Sequence, residues 1–327
     1  MNIARVWSIA GLLFLSAAAV AAQPSEAQPN SSRPVKLVVP YPPGGPNDVM
    51  ARILAQKLSA AIGGSFYVEN TPGAAGTIGA SAVAMSAPDG HTLLVANQDV
   101  VLQPIVKSKV PYDPFKSFTP VTLLVTAPEM IVVNPSLPAK SIVELIDLLK
   151  ANPGKYSYAS PGVGTTPHLA CEWLFKVRNG LDVTHVPYQG GAPAVQATLA
   201  GQTQIFHNVL PAIAPHVRAG TLRPLAVAAS KRSTYFPDVP TMAEAGVSGH
   251  EVGFWMVLLA PAGTPKATID TLNARIFKIL DMPDVKERLQ TMAFDSASGT
   301  PEAAAAHMTA EADKWTKVVR DAGLKVE

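Results

Sequence analysis

The sequence predicts an α/β protein with two lobes. Its 327 residues exceed the span of one ordinary hydrophobic core, and an apolar share of 48% can fill two. From Val35 onwards, short β-rich runs alternate with segments of helical periodicity, which is typical of parallel strands joined by helices. The net charge is only +2, so composition gives no indication of a nucleic-acid partner or of an anionic membrane surface as a target.

The amino terminus has the three parts of a secretory signal peptide. Residues 1–22 contain one positive charge at Arg5, an apolar stretch and a run of small residues, so we expect cleavage near Ala21 or Ala22. The apolar stretch is shorter than the ~20 residues that span a membrane, although an uncleaved anchor is the alternative. Residues 23–34 are predicted to form a flexible leader. The mature protein is therefore expected to be exported and not inserted in the membrane.

The first strand, loop and helix illustrate the repeating unit. Residues 35–39 have the continuous apolar pattern of a strand buried on both faces. After the turn-rich loop 41–48, Met50 and Ile53 lie on one face of a predicted helix that ends at Gly63. Further strands are predicted at 66–69, 92–96, 130–133, 156–159, 183–186, 204–206, 225–228 and 256–259. Further helices are predicted at 141–151, 167–177, 193–200, 211–219, 265–280 and 301–322.

The two lobes are expected to be connected by two crossings of the chain. Extended, Pro-bearing stretches near 126–128 and 230–240 are the candidates for these crossings. The first lobe would then be discontinuous, and the second would be one continuous segment. The predicted boundaries are 35–127 plus 230–327 for the first lobe and 128–229 for the second.

Loops that lead from a strand into a helix offer unpaired backbone N–H groups, and the helix dipole adds about half a positive charge there. The first such loop contains Gly44, Gly45, Pro46 and Asn47, and could hold a carboxylate or phosphate without any Lys or Arg. Asp48 is expected to cap the helix, because an ionised acid would repel an anion. The alternative is a tight turn that binds no ligand.

A second loop of the same kind precedes the helix predicted from residue 167. It consists of Gly162, Val163, Gly164, Thr165 and Thr166. Thr166 is placed to cap the helix, and Thr165 then offers a free hydroxyl, although either threonine could cap the helix or contact an anion. His168, in the first helical turn, contacts either a ligand or the core. Loop 188–193, which begins with Tyr188, is a third candidate for the same reasons, but its sequence is a less specific signal of anion binding.

Side chains at predicted strand ends complete the candidates for a binding site. Asn97 and Gln98 could donate from their amides, and His207 and Asn208 end another strand. Trp255 could form one wall of a pocket. For His207 and Trp255, packing in the core is the alternative.

Enzyme and cofactor motifs are missing from the sequence. It contains no GxSxG, HExxH or SxxK motif, and its seven histidines lack the spacing of metal ligands. The glycines of loop 73–79 match neither a Walker loop nor a dinucleotide-binding fingerprint. The single cysteine, Cys171, is predicted to be a buried, inert thiol. We therefore expect no catalytic residue, no metal and no cofactor.

Seven segments, in order along the chain, resemble a known family. They are YPPGGPNDVMAR (41–52), PDGHTLL (88–94), PYDPF (111–115), YASPG (158–162), HVPYQGGAP (185–193), FPDVPTMAEAG (236–246) and APAGTP (260–265). Together they resemble the Bug-type extracytoplasmic receptors of tripartite tricarboxylate transporters, over essentially the whole mature chain. The resemblance implies a type II periplasmic binding-protein fold, with two α/β lobes that close on a carboxylate-bearing metabolite in the cleft between them.

The resemblance also implies a set of binding residues. Loops 43–47 and 162–166 would hold one carboxylate, partly through ordered waters. The full expected set is Tyr41, Pro43, Gly44, Gly45, Pro46, Asn47, Asn97, Gln98, Gly162, Val163, Gly164, Thr165, Thr166, His168, Tyr188, His207, Asn208 and Trp255. Relatives often carry an acid at the position of His207. Because an amino-dicarboxylate needs an acid for its ammonium, a plain or aromatic di- or tricarboxylate is expected here.

The resulting expectation is a periplasmic transport receptor that closes by a hinge motion and docks on the permease subunits of a tripartite membrane transporter, with no nucleic-acid partner. Two alternatives stay open. One is a ligand sensor that docks on a signalling ectodomain. The other is an exported hydrolase or isomerase that uses His168 or His207 with a neighbouring hydroxyl.

Overall fold

The alternation of strands and helices is observed along the chain in a computed structural model, which describes residues 33–321 and 323. The predicted signal peptide and most of the predicted leader lie outside the described residues. The strands are β1 (Val35–Val39), β2 (Phe66–Asn70), β3 (Thr92–Asn97), β4 (Phe118–Val133), β5 (Ser157–Ser160), β6 (Thr184–Pro187), β7 (Ile205–Val209), β8 (Arg223–Val227), β9 (Gly253–Pro261) and β10 (Asp295–Ser296). The α/β prediction is confirmed.

Helices cover the faces of the sheet that these strands form. They are α1 (Pro46–Ile62), α2 (Thr77–Ala84), α3 (Asp99–Val106), α4 (Ile142–Ala151), α5 (Thr166–Glu172), α6 (Gly191–Leu199), α7 (Leu210–Arg218), α8 (Lys266–Asp281), α9 (Pro283–Thr291) and α10 (Pro301–Asp321). A π-helical segment, Trp173–Val177, continues α5. Helix α4 shows how the sequence fixes a boundary, because Ser141 accepts the N–H of Glu144 at 3.1 Å, as an N-cap residue does.

The strands form one sheet with two halves, each of which contains a group of three parallel strands. The strand order is β2-β1-β3-β9-β4-β7-β5-β6, with β8 and β10 also paired to β4. In the first half, β1 runs parallel to β2 and β3. In the second half, β5 runs parallel to β6 and β7. The strands β4 and β9 lie between these parallel groups and are antiparallel to each other.

Strand β4 belongs to both halves of the sheet. From Phe118 to Pro128 it pairs with β9, and from Glu129 to Val133 it pairs with β7. The apolar pattern predicts only residues 130–133 of this strand, because Pro120 and Pro128 interrupt it in the rest. The change of pairing partner places Glu129 at the boundary between the two halves.

Each half of the sheet has its own core. Helices α1 and α8 cover the first half, where Leu54 and Ile276 pack in one cluster with Leu37. In the second half, Ile131 of β4 packs with Leu145 of α4 in a different cluster. Helix α10 reaches both halves. Its Met308 packs with β3 and β9, whereas its Trp315 packs in the core of the second half.

The predicted lobe boundaries at 127/128 and 229/230 stay a prediction. The passage of β4 from one half of the sheet to the other agrees in position with the first of the two expected crossings. The segment after β8 packs, through Met242 and Val252, in the core of the second half before the chain returns along β9.

Candidate functional site

Three helices begin at one cavity between the two halves of the sheet. The cavity is partly open to solvent, and its empty space, including the part open to solvent, amounts to about 620 Å³. It is lined by residues at the start of each helix: Gly45 to Asn47 for α1, Thr165 and Pro167 for α5, and Gly190 to Pro193 for α6. The first N–H groups of a helix have no partner within the helix, so three sets of donors meet at this cavity.

The loop before α1 is held by Asp48. The N–H of Gly44 donates to Asp48 Oδ2 at 3.0 Å, and Arg52 and Asn70 donate to the same carboxylate. Burial alone would raise the pKa of Asp48, but the hydrogen bonds from Arg52, Gly44 and Asn70 outweigh it and lower the pKa. The carboxylate of Asp48 therefore stabilises the turn that precedes the helix, and Gly45 is the N-cap residue.

The loop before α5 differs from the prediction in its capping. Thr165, not Thr166, is the N-cap residue, and its hydroxyl donates to the carbonyl of Gly162 at 2.8 Å. Of the two threonines that the sequence allows as the cap, the structure therefore has Thr165, and the hydroxyl of Thr165 is not free. The N–H of Gly164 donates to Nδ1 of His168 at 3.1 Å, so this histidine stabilises its own loop. Burial lowers the pKa of His168 to about 4, which keeps the ring neutral.

Two buried acids line the cavity, and the first is Asp99. The hydroxyl of Tyr41 donates to Asp99 Oδ2 at 2.6 Å and also contacts Asn97 Oδ1 at 2.9 Å. Burial raises the pKa of Asp99 to about 7, although the hydrogen bond from Tyr41 acts against the shift. The two ionisation states of Asp99 are therefore both populated near neutral pH.

The second buried acid is Glu129, at the point where β4 changes partner. Gln98 Nε2 lies 3.3 Å from Glu129 Oε1. His207 Nδ1 lies 3.0 Å from Glu129 Oε2, and both side chains are about 1% exposed. Gln98 also accepts the backbone N–H of Trp255 at 3.2 Å, so its orientation is fixed from both ends. None of the residues that line the cavity is a Lys or Arg.

The composition of the site does not indicate a metal centre. Among residues 33–321, no group of three or more His, Cys, Asp or Glu side chains is arranged to hold a metal ion. The same part of the chain has no helix whose length and hydropathy would let it span a membrane.

Comparison with known proteins identifies the family. Residues 50–324 match the tripartite tricarboxylate transporter family receptor. The chain belongs to this family. Members of the family are periplasmic solute-binding receptors and not enzymes. Protein BugT of Bordetella pertussis is 36% identical over 329 residues, which covers 100% of both chains. A protein from the tcbD-tcbE intergenic region of Pseudomonas sp. is 38% identical over 320 residues, or 97% of this chain and 94% of the relative.

Solved structures confirm the two-lobed, type II periplasmic binding-protein fold of this receptor. The R. palustris protein Rpa4515 with adipate has a TM-score of 0.86 and 35% identity, with 89% of this chain and 98% of that chain covered. The periplasmic binding protein BugD has a TM-score of 0.86 and 33% identity, with 91% and 100% covered. MatC from Rhodopseudomonas palustris with bound malate has a TM-score of 0.82 and 34% identity, with 88% and 99% covered.

In this receptor, half of the predicted site residues surround the cavity. Those that line it are Tyr41, Pro43, Gly45, Pro46, Asn47, Asn97, Gln98, Thr165 and Asn208. They come from the loops after β1 and β5 and from the carboxyl ends of β3 and β7, which lie far apart in the sequence. Residues of loop 43–47 and Thr165 of loop 162–166 therefore line the same cavity. Their role in binding stays a prediction.

The other predicted residues lie outside the lining of the cavity. They are Gly44, Gly162, Val163, Gly164, Thr166, His168, Tyr188, His207 and Trp255. His207 lies behind Glu129, and Trp255 packs on the other face of the sheet, where its ring meets His307 edge-on at 5.1 Å. For both residues the structure agrees with the alternative of core packing.

Several lining residues were not among the predicted set. They are Pro42, Asp99, Glu129, Pro161, Pro167, Gly190, Gly191, Ala192, Pro193, Val209 and Phe254. The start of α6 was recognised as an amide-rich loop, and its glycines could have been included on that ground. Glu129 could have been noticed because it directly precedes the apolar run 130–133, and an acidic residue is unusual in a buried strand.

Proposed function

We propose that this receptor captures a small organic carboxylate in the cleft between its lobes and delivers it to the permease of a tripartite membrane transporter. The observation that carries the proposal is the meeting of the α1 and α6 N-termini, with the loop before α5, at one cavity. Each N-terminus presents unpaired N–H groups and the positive end of a helix dipole, which together can bind a carboxylate without a cationic side chain.

The strength of such a site is adequate for a transport receptor. Micromolar affinity corresponds to about −8.2 kcal/mol. Each hydrogen bond to a charged group contributes about 1.5–3 kcal/mol net, so three or four at one carboxylate approach that value before ordering costs. The adipate and malate in the R. palustris structures support a carboxylate-bearing ligand of similar size.

Closure of the two lobes would complete the site, because the donors come from both halves of the sheet. A Cβ atom at Gly190 would lie 3.2 Å from Cδ of Pro42, so the loop before α6 already approaches the loop after β1. Bending where β4 changes partner would separate these loops and open the cavity. Ligand contacts to both lobes favour the closed form, which is the form we expect to dock on the permease. Export to the periplasm by the predicted signal peptide belongs to the same proposal.

Calorimetric titration of the mature protein with a panel of di- and tricarboxylates tests the proposal. We expect micromolar binding of at least one member. The variant Gly191→Leu places a side chain beside Asn208 in the cavity and should abolish that binding. Gly299→Leu, whose Cβ makes only an ordinary contact with Ala303, is the matched control. Absence of binding to every organic acid at millimolar concentration would reject the proposal.

A further inference from the structure

Both acids that line the cavity keep one oxygen atom without a hydrogen bond. Among the described residues, neither Oδ1 of Asp99 nor Oε2 of Glu129 has a hydrogen-bond partner. Asp99 is 5% exposed and Glu129 is fully buried. A buried carboxylate oxygen without a donor is costly, so such an atom at a ligand cavity indicates a donor that arrives with the ligand.

Glu129 is the better defined of the two acids. Its Oε1 faces the side-chain amide of Gln98. Its Oε2 lies 3.0 Å from His207 Nδ1, but the two atoms do not have the geometry of a hydrogen bond. The backbone N–H of Trp255 fixes Gln98, and pairing of β4 with β7 fixes Glu129 opposite Val209. Glu129 is therefore held in place at the lining of the cavity, and its Oε2 has no hydrogen-bond donor among the described residues.

The charges around the cavity disfavour a plain dicarboxylate. The lining contains two acids and no Lys or Arg, so a ligand with two negative charges would meet like charges at its second pole. Juxtaposed like charges in a desolvated interface cost several kcal/mol, whereas a paired opposite charge is favourable or neutral. The helix N-termini can hold one carboxylate, but no Lys or Arg of the lining faces the two acids.

We propose that the ligand carries, besides its carboxylate, a positively charged nitrogen that donates to Glu129 and Asp99. The inference rests on the proposed function and narrows its ligand to amino-carboxylates. It reverses the expectation of a ligand without an amino group, which followed from the lack of an acid at position 207. The structure supplies that acid from β4 instead, because Glu129 lies beside His207.

Matched pairs of ligands that differ only in the amino group test the inference. The pairs are aspartate and succinate, glutamate and glutarate, and 2-aminoadipate and adipate, titrated by calorimetry at about pH 8. In at least one pair the amino compound should bind at least about tenfold tighter, since it alone pairs with the buried acids. The hydroxy acid malate separates a requirement for charge from a requirement for any donor, and should bind more weakly than aspartate.

The variant Glu129→Gln keeps the shape and the contact with Gln98 but removes the charge. It should reduce the preference for the amino compound by at least about tenfold and should not weaken binding of the plain dicarboxylate. Glu287→Gln, on the exposed face of α9, is the matched control and should leave the preference unchanged. If Glu129→Gln does not fold, the comparison of ligand pairs on the unmodified protein decides alone.

Three results are distinguishable. Preference for the amino compound, lost in Glu129→Gln, supports the inference. Equal or tighter binding of succinate, glutarate or adipate overturns it but leaves the proposed function intact, as does a preference that Glu129→Gln does not change. Absence of binding by both members of every pair and by the wider panel removes the proposed function, and the inference with it.

Discussion

Replacing Asp99 with Asn should change how the stability of the protein depends on pH. Burial raises the pKa of Asp99 to about 7 in the folded protein, against 3.8 for the unfolded chain. Between these two values the folded state keeps a proton that the unfolded state releases. The free energy of unfolding should therefore fall as pH rises from about 4 to about 7, and this contribution should be constant at higher pH.

The size of the effect follows from the same two values. The difference between about 7 and 3.8, at about 1.4 kcal/mol for each pH unit, corresponds to about 4 kcal/mol. Asn cannot ionise, and it can still accept the hydrogen bond from Tyr41. The free energy of unfolding of Asp99→Asn should therefore not fall in this way as pH rises. Relative to the unmodified protein, the variant should become more stable by up to about 4 kcal/mol between pH 4 and pH 8.

Urea denaturation followed by circular dichroism, at five pH values from about 4 to about 8, measures this difference. Comparing the variant with the unmodified protein at each pH cancels the titration of all other groups, including the buried histidines. Asp313→Asn, on the exposed face of α10, is the matched control. A difference between Asp99→Asn and the unmodified protein that stays constant within about 1 kcal/mol across this range would refute the reasoning.

Three further substitutions test the local structure by denaturation. Gly164→Ala should lower the free energy of unfolding by about 2 kcal/mol more than Gly63→Ala does. Both glycines have a left-handed φ, but only a Cβ atom at position 164 would clash with a neighbour, Val106 Cγ2 at 2.9 Å. Equal losses of stability would contradict the steric argument. Ser141→Ala should cost about 1 kcal/mol through the lost cap of α4, and a cost near zero would contradict the capping role. Asp48→Asn should lower the free energy of unfolding by about 2 kcal/mol at neutral pH. This loss should become smaller as pH falls through the lowered pKa of Asp48 in the folded protein. A loss that does not change with pH would contradict the ionic contacts.

Much of the fold could be predicted because its signals are local. The apolar run at 35–39 by itself predicts a strand, and the predicted bounds are those observed for β1. Helix starts marked by Pro or by Gly-rich loops were placed within two residues, as for α6 and α7. Helices α2 and α3 were not predicted, because α2 is built from small residues and α3 contains Pro104.

The candidate site could be predicted only where it depends on the backbone. Loops 43–47 and 188–193 are recognisable as strand-to-helix turns from their glycines and prolines, and both reach the cavity. The side chains could not be placed in this way. Whether Glu129 or His207 faces the cavity depends on how β4 pairs with β7, and no local pattern encodes that pairing.

The passage of β4 through both halves of the sheet has a consequence for exchanging lobes between relatives. A cut at the predicted boundary 127/128 would fall inside a continuous 16-residue strand whose residues contribute to both cores, such as Leu124 in one and Ile131 in the other. A chimaera would therefore have to inherit β4 whole from one parent and repack it against foreign neighbours on one side. Ligand preference should be transferred more readily by grafting individual loops at the strand ends than by swapping entire lobes.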